Sequence, residues 1–314
     1  MYLRLFYIHT ENWLKNLIES IPSPNLMIMG FLCLIVLIIA CIIINIIPKK
    51  LRCCGSIFVL IACFYTFFNQ YEVETNRYTI ELGLEKPVKV VQLSDLHYNT
   101  SMPYCVNEAI KKCNEENPDI VVITGDFITS LGHNTIPKQC FKSLRKIKCD
   151  RIYAVYGNHD QFFDRKETEK EFEDAGIKII DGKEEKIGRN FYIAGAKYRG
   201  VHCDELNKTL KALPKNSKSI VLTHHPACIL LDQFNSKYIK NKNILFLTGH
   251  THGGQFLLPW TDKETFAQNK FYINRLNGMT EILGNKVYIS KGIGTSIIPL
   301  RLNARPEIGV FEIK

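Results

Sequence analysis

Eight short runs rich in β-branched residues recur after residue 71, and five of them lead straight into aspartate, asparagine or histidine. The runs are Val88–Leu93, Ile120–Thr124, Ile152–Tyr156, Phe191–Ala196, Ser219–Thr223, Ile244–Thr248, Lys286–Ser290 and Ile308–Ile313. Polar stretches with helical periodicity separate several of them: Tyr104–Glu116, Lys138–Lys148, Lys166–Ala175 and Asp204–Leu213. Strands alternating with helices predict an α/β architecture. There is no internal repeat, no low-complexity stretch and no Pro/Gly-rich linker in this part, so residues 71–314 read as one domain.

Where the five strands end is the second constraint. One runs into Asp95-Leu96-His97, another into Asp126, a third into Asn158-His159-Asp160. The fourth meets His224-His225-Pro226 and the fifth His250-Thr251-His252. Six of the nine histidines fall in these segments. The carboxyl edge of an open α/β sheet is where ligands bind. Imidazole and carboxylate donors without a thiolate suit divalent ions of the Mn, Fe or Zn kind. Asp-x-His and His-x-His place two donors on one side of an extended segment. A glycine stands before each of Asp126, Asn158 and His250, where a sharp turn and a close approach are needed. Spacing alone does not choose between His224 and His225.

Five such blocks in this order resemble the calcineurin-like metallophosphoesterase superfamily, whose pattern is D-x-H, G-D, G-N-H-[DE], H, G-H-x-H. The likeness is closer to its membrane-associated YkuE-like and YaeI-like phosphodiesterase branch. That branch has a hydrophobic N-terminus, an S-D-L-H block and a G-H-T-H-G-G-Q block. It also has a C-terminal stretch like Tyr288–Ser296 followed by Pro299-Leu300-Arg301 and Pro306-Glu307. The resemblance implies a sandwich of two mixed β-sheets flanked by helices. It implies two divalent metal ions, manganese among the candidates: Asp95, His97 and His252 on the first, Asn158, His224 and His250 on the second, and Asp126 bridging. It favours His224 as the ligand and puts His225 near the substrate. His159 would stabilise the transition state or protonate the leaving oxygen, and Asp160 would orient His159. Two departures, Asn99 and the Trp260-Thr261 pair, stand where relatives often carry glycine.

The activity implied is that of a hydrolase, a phosphodiesterase in which a hydroxide bridging two metals attacks a phosphate ester. Arg301 reads as a clamp for a second phosphate or acidic headgroup, or else as a surface ion pair. A phospholipid or nucleotide-linked lipid is one substrate class, and the mixed segment Phe256–Asn285 could then cover acyl chains or simply pack as a loop. The alternatives are a soluble phosphomonoester or diester hydrolase, or a metal-bound module without catalysis. The complete set of donors and His159 weigh against the module.

Residues Asn25–Ile47 form an uncharged apolar run, long enough to span a bilayer as a helix. It starts too deep in the chain and is too long for an ordinary signal peptide. After Lys49, Lys50 and Arg52, a shorter apolar run, Cys53–Phe68, is either a second transmembrane helix or an interfacial segment. The two cases put the following domain on opposite sides of the membrane. Residues 1–24 are amphipathic, include Trp13 and suit the membrane surface, with Pro22 and Pro24 ending the segment. The net charge of +9 is spread without a long basic block, so no nucleic-acid partner is expected. The 11 cysteines form no C-x-x-C pair, which argues against a zinc–thiolate site.

Overall fold

The computed structural model of the chain describes residues 57, 71–98, 103–129, 136–162, 165–199, 203–230, 239, 243–258, 260–263, 266–267, 273–296 and 301–314. The amphipathic segment 1–24 and the span 25–47 lie outside them. So do Asn99, Pro299, Leu300 and, apart from Ile57, the run 53–68. Among the described residues no helix is long and apolar enough to cross a membrane.

The strands are β1 (Glu74–Ile80), β2 (Val88–Leu93), β3 (Ile120–Thr124), β4 (Ile152–Val155), β5 (Ile177–Ile179), β6 (Glu184–Gly188), β7 (Phe191–Gly195), β8 (Lys218–Leu222), β9 (Asn243–Thr248), β10 (Gly278–Ile282), β11 (Asn285–Ile289) and β12 (Glu307–Ile313). The α-helices are α1 (Tyr104–Glu115), α2 (Lys138–Leu144), α3 (Arg165–Asp174), α4 (Asp204–Ala212) and α5 (Ala227–Leu230). One sheet has the order β1-β12-β2-β3-β4-β5 and the other β10-β11-β9-β8-β7-β6. Both are mixed: β2 to β5 run parallel, as do β7, β8, β9 and β11.

Side-chain alternation explains the layering. In β3, Ile120 and Val122 join β8 and β9 residues such as Ile220, Leu222, Leu245 and Leu247 in the core between the sheets. Val121 and Ile123 point the other way and pack under Val106 and Ile110 of α1 and Phe141 of α2. On the second sheet, Val221 and Phe246 meet Leu206 and Leu210 of α4. A strand covered on both faces reads as a continuous apolar run, which is how the central strands read. Burying one such Val, Leu or Ile contributes about 1.5–3 kcal/mol.

The strands without such a run are β1, β5, β6 and β10, and these are the four edges of the two sheets. Their sequences, among them ETNRYTI and EEKIG, alternate or stay polar because one side of an edge strand meets water.

One buried polar side chain interrupts the inter-sheet core. Gln92 donates from Nε2 to Thr124 Oγ1 (2.8 Å) and to the carbonyl oxygen of Thr248 (3.0 Å), so it ties β2 to strands of both sheets. Thr124 Oγ1 donates to Ser94 Oγ (2.6 Å), and Ser94 Oγ donates to Asp95 Oδ2 (2.6 Å). This chain of hydrogen bonds ends on a carboxylate at the carboxyl edge of the strands.

Candidate metal centre

All five donor-bearing segments arrive at that edge, from β2, β3 and β4 of one sheet and β8 and β9 of the other. The segments are cross-bonded through their backbones. Asp95 N donates to Gly125 O (3.0 Å), His97 N to Asp126 O (3.0 Å), and Gly249 N to His224 O (2.9 Å). The packing leaves no room for side chains at the turns. A Cβ on Gly157 would collide with the Asp126 carboxylate, and one on Gly249 with that of Asp95. Asp95, His97, Asp126, His250 and His252 all have positive φ. Such conformations cost about 1–3 kcal/mol each and persist only where the surroundings over-determine them.

Two groups of donors result, and they share one residue. Asp95, His97, Asp126 and His252 bring one ligand atom each within 4.8 Å of one another, and so do Asp126, His224 and His250. In the first group His97 Nε2 lies 3.0 Å from His252 Nε2 and 3.5 Å from Asp126 Oδ2, and His252 Nε2 lies 3.4 Å from Asp95 Oδ1. In the second, Asn158 Oδ1 sits 2.9 Å from His224 Nε2 and 2.7 Å from His250 Nδ1. Asp126 Oδ2 is 3.2 Å from His224 Nε2. Asn158, His159 and His250 are half-buried, and the other donors are buried, so the centre opens on the Asn158 side.

The tautomers fit a cation. His224 Nδ1 faces the Thr124 carbonyl oxygen at 2.8 Å and must donate to it. With the ring neutral, its Nε2 is a lone pair pointing at a carboxylate oxygen, an amide oxygen and another ring nitrogen. Acceptors meeting in this way require positive charge between them. Burial works against a charged His224, yet the Asp126 carboxylate raises it to about 9, the same demand expressed as a proton. Burial also resists ionisation of Asp126, but the His224 and His97 rings hold it well below the usual carboxylate range. His250 and His252 are driven well below the usual histidine value by burial and by the neighbouring rings, so both present neutral nitrogens. The donor set, all N and O, fits divalent ions of the Mn, Fe or Zn kind.

Residues 88–254 match the calcineurin-like phosphoesterase family. The chain belongs to the calcineurin-like phosphoesterase family. Members are hydrolases acting on phosphoric ester bonds, and they use divalent metals. Similar proteins include YkuE of Bacillus subtilis (strain 168), an uncharacterized metallophosphoesterase, at 29% identity over 79% of this chain and 88% of YkuE. The phosphodiesterase YaeI of Escherichia coli (strain K12) is 29% identical over 72% of this chain and 82% of its own length. An uncharacterized metallophosphoesterase of Aquifex aeolicus (strain VF5) is 29% identical over 80% of this chain and 95% of its own.

The other expected residues of this phosphoesterase are placed less simply. His225 stays out of both donor groups: its Nδ1 accepts from Ala227 N at 3.0 Å, and its ring lies 4.0 Å from that of His250. Burial and His224 lower it to about 3. His159 donates its backbone N–H to Asp126 Oδ1 (2.9 Å), and its ring meets that of His97 edge-on at 5.0 Å.

Asp160 and Arg301 take partners that the sequence does not show. Asp160 binds backbone. Its carboxylate accepts backbone N–H groups from Asp126 (2.7 Å), Phe127 (2.9 Å) and Gly157 (2.8 Å). It therefore fixes the two turns that carry Asp126 and Asn158. Arg301 is neither a phosphate clamp nor a surface ion pair, because it is only 1% exposed. It donates to the carbonyl oxygens of Gly294 and Ala304 and reaches His252 Nδ1 at 3.2 Å, so the C-terminal segment is bound under the His252 turn.

Several supporting residues escape sequence reasoning. Thr129 Oγ1 meets His97 Nδ1 at 2.9 Å, and Tyr198 packs edge-on against His224 at 5.8 Å. Gly294 N donates to Asp95 O (2.7 Å), which gives the Gly292-Ile293-Gly294 stretch a task, bracing the Asp95–His97 loop. That stretch is visible in the sequence as a pattern, but its partner lies some two hundred positions away.

Proposed function

We propose that this phosphoesterase cleaves phosphodiesters with two divalent ions. Asp95, His97 and His252 would hold one, Asn158, His224 and His250 the other, and Asp126 both. The observation that carries this reading is the sharing of Asp126 by the two donor groups. Bound ions would neutralise the phosphate and activate an attacking water. The chain's own residues divide the remaining work. Asp126 is fixed by the His159 amide and by the Asp160 clamp on its backbone, so its two oxygens keep their directions. His159 sits half-buried at the opening, and burial lowers its pKa, so it offers a neutral imidazole N–H to a phosphoryl or leaving oxygen. His225 braces the His250 ring from behind.

The uncharged run Asn25–Ile47 supports anchoring in a membrane, with residues 71–314 as the catalytic part. A tethered enzyme meets lipid phosphates, so a phospholipid or lipid-linked pyrophosphate is the substrate class this reading favours. Detergent-purified full-length protein assayed with Mn²⁺ on bis(p-nitrophenyl) phosphate and on p-nitrophenyl phosphate tests the chemistry. Diester cleavage that chelator and Asp126→Ala both abolish is the expected result. Hydrolysis of the monoester alone would replace the diester reading, and turnover unaffected by chelator would end the metal mechanism.

A further inference from the structure

We infer that the edge of the two-sheet body bearing the metal centre faces the bilayer, with Phe256, Leu258 and Trp260 as its interfacial contact. The inference rests on the membrane reading above and adds the direction in which the site looks.

Strand direction is the first support. β12 runs antiparallel to β2, pairing Gly309 with Gln92, so β12 begins at the carboxyl edge of β2, where Asp95 stands. β1 runs parallel to β12 and pairs Glu74 with Glu307. The first residues of β1 therefore stand at the edge that carries the metal donors. Side chains confirm the placement: Glu74 binds Lys291 Nζ, and the backbone two residues further on, at Ile293, donates to Ser94 O at 3.0 Å. The chain thus arrives from its apolar N-terminal part on the catalytic edge. The run ending at Phe68 stands just upstream of Tyr71. A tether this short holds that edge close to whatever the run is embedded in.

Surface chemistry is the second support, and it is independent of topology. Trp260 is 79% exposed, Phe256 43% and Leu258 41%, while Leu257 between them is buried with Ala227, Ile273 and Leu276. The buried neighbour fixes the loop, so the exposed side chains are presented rather than loose. Phe256 pairs with Leu302, next to Arg301, which reaches His252 Nδ1, so this loop begins beside the donors. Tyr104, 54% exposed, opens α1 on the same edge, and its ring meets Tyr71 edge-on at 5.7 Å. Tryptophan and tyrosine concentrate where protein meets the membrane–water interface. Exposed apolar patches mark interaction surfaces, and the adjoining apolar run names a lipid surface as the occupant. A phosphate at headgroup depth would then reach the metal centre without leaving the membrane.

Trp13 and Trp260 are the chain's two tryptophans, so full-length Trp13→Phe reports on Trp260 alone. The protein is reconstituted into phosphatidylcholine–phosphatidylglycerol vesicles with or without bromine on the acyl chains. A second reporter, Asp150→Trp in a Trp13→Phe, Trp260→Phe background, marks the opposite edge, just before β4. Flotation of the vesicles tests membrane attachment separately. The expected result is flotation, loss of roughly half of the Trp260 emission in brominated lipid, as for a ring ~5–10 Å into the headgroup boundary, and no loss at position 150. Flotation with unquenched Trp260 would overturn the orientation and leave the membrane reading standing. Failure to float would overturn both.

Discussion

Asp160 Oδ2 accepts the backbone N–H of Asp126 at 2.7 Å and that of Gly157 at 2.8 Å, while Oδ1 takes Phe127 N at 2.9 Å. A carboxylate surrounded by three amide donors is a backbone clamp. It joins the turn after β3 to the turn after β4, and so sets the distance between Asp126 and Asn158.

Asp160→Asn keeps the shape and breaks the clamp. One amide oxygen remains, and the NH₂ group meets at least one N–H donor. Leaving a buried donor unsatisfied costs about 1–3 kcal/mol. Urea denaturation is expected to show that loss, and Mn²⁺ titration a ~10–100-fold weaker affinity, the usual effect of disturbing groups that support a metal site. Unchanged stability and affinity would contradict the clamp.

His224 and His225 are adjacent but differently placed. His224→Ala is expected to remove one metal equivalent and most of the activity, because its Nε2 lies among the donors of the second group. His225→Ala should keep both equivalents and lose at most ~10–100-fold in affinity, because its Nδ1 serves Ala227 N. Metal analysis of the two variants separates them. Equal loss in both would mean that His225 is a ligand.

His159 touches the centre through its backbone, so its ring can be removed without removing a donor. His159→Ala should leave metal content intact and lower kcat by ~10²–10³-fold, the usual effect of losing one hydrogen-bond donor to developing charge. The loss should be greater for an alkyl leaving group, whose more basic departing oxygen takes the imidazole N–H bond more strongly, than for p-nitrophenolate. Equal losses on the two esters would assign the ring to phosphate binding alone.

The buried thiols give a pH-dependent test. Burial raises Cys113 to about 12 and pushes Cys140 and Cys228 higher still. Folded pKa values above the unfolded value of ~8.5 mean that the fold favours the protonated thiols. Their contribution to stability is complete below pH ~8.5 and is lost as pH rises toward the folded values. Iodoacetamide at pH 8 should label these three cysteines slowly in the native protein and quickly in guanidinium. Equal rates would show that the helix–sheet layers open freely.

What the sequence reveals follows the geometry of burial. β3 and β9 are legible because both faces are covered and nearly every residue must be apolar. β1 and β6 are not, since an edge strand satisfies only one face and its polar residues look like loop. The donors are legible because each follows its own strand by two to four residues, so local pattern is enough. Asp160 and Arg301 have recognisable residue types, but Asp160 depends on the backbone of the turn after β3, and Arg301 on the His252 turn. Arg301 is the sharper case: an exposed-looking guanidinium is spent on carbonyl oxygens under the His252 turn. No pattern within its own segment announces His252 as a partner.

The most direct test counts metal ions. Full-length protein in detergent, stripped with chelator and reloaded with Mn²⁺, is analysed by inductively coupled plasma mass spectrometry beside Asp126→Ala and Asn158→Ala. Sharing of Asp126 predicts two equivalents in the native protein, one in Asn158→Ala, and weakening of both in Asp126→Ala. One equivalent in the native protein, or two retained in Asp126→Ala, would contradict a centre built around that carboxylate.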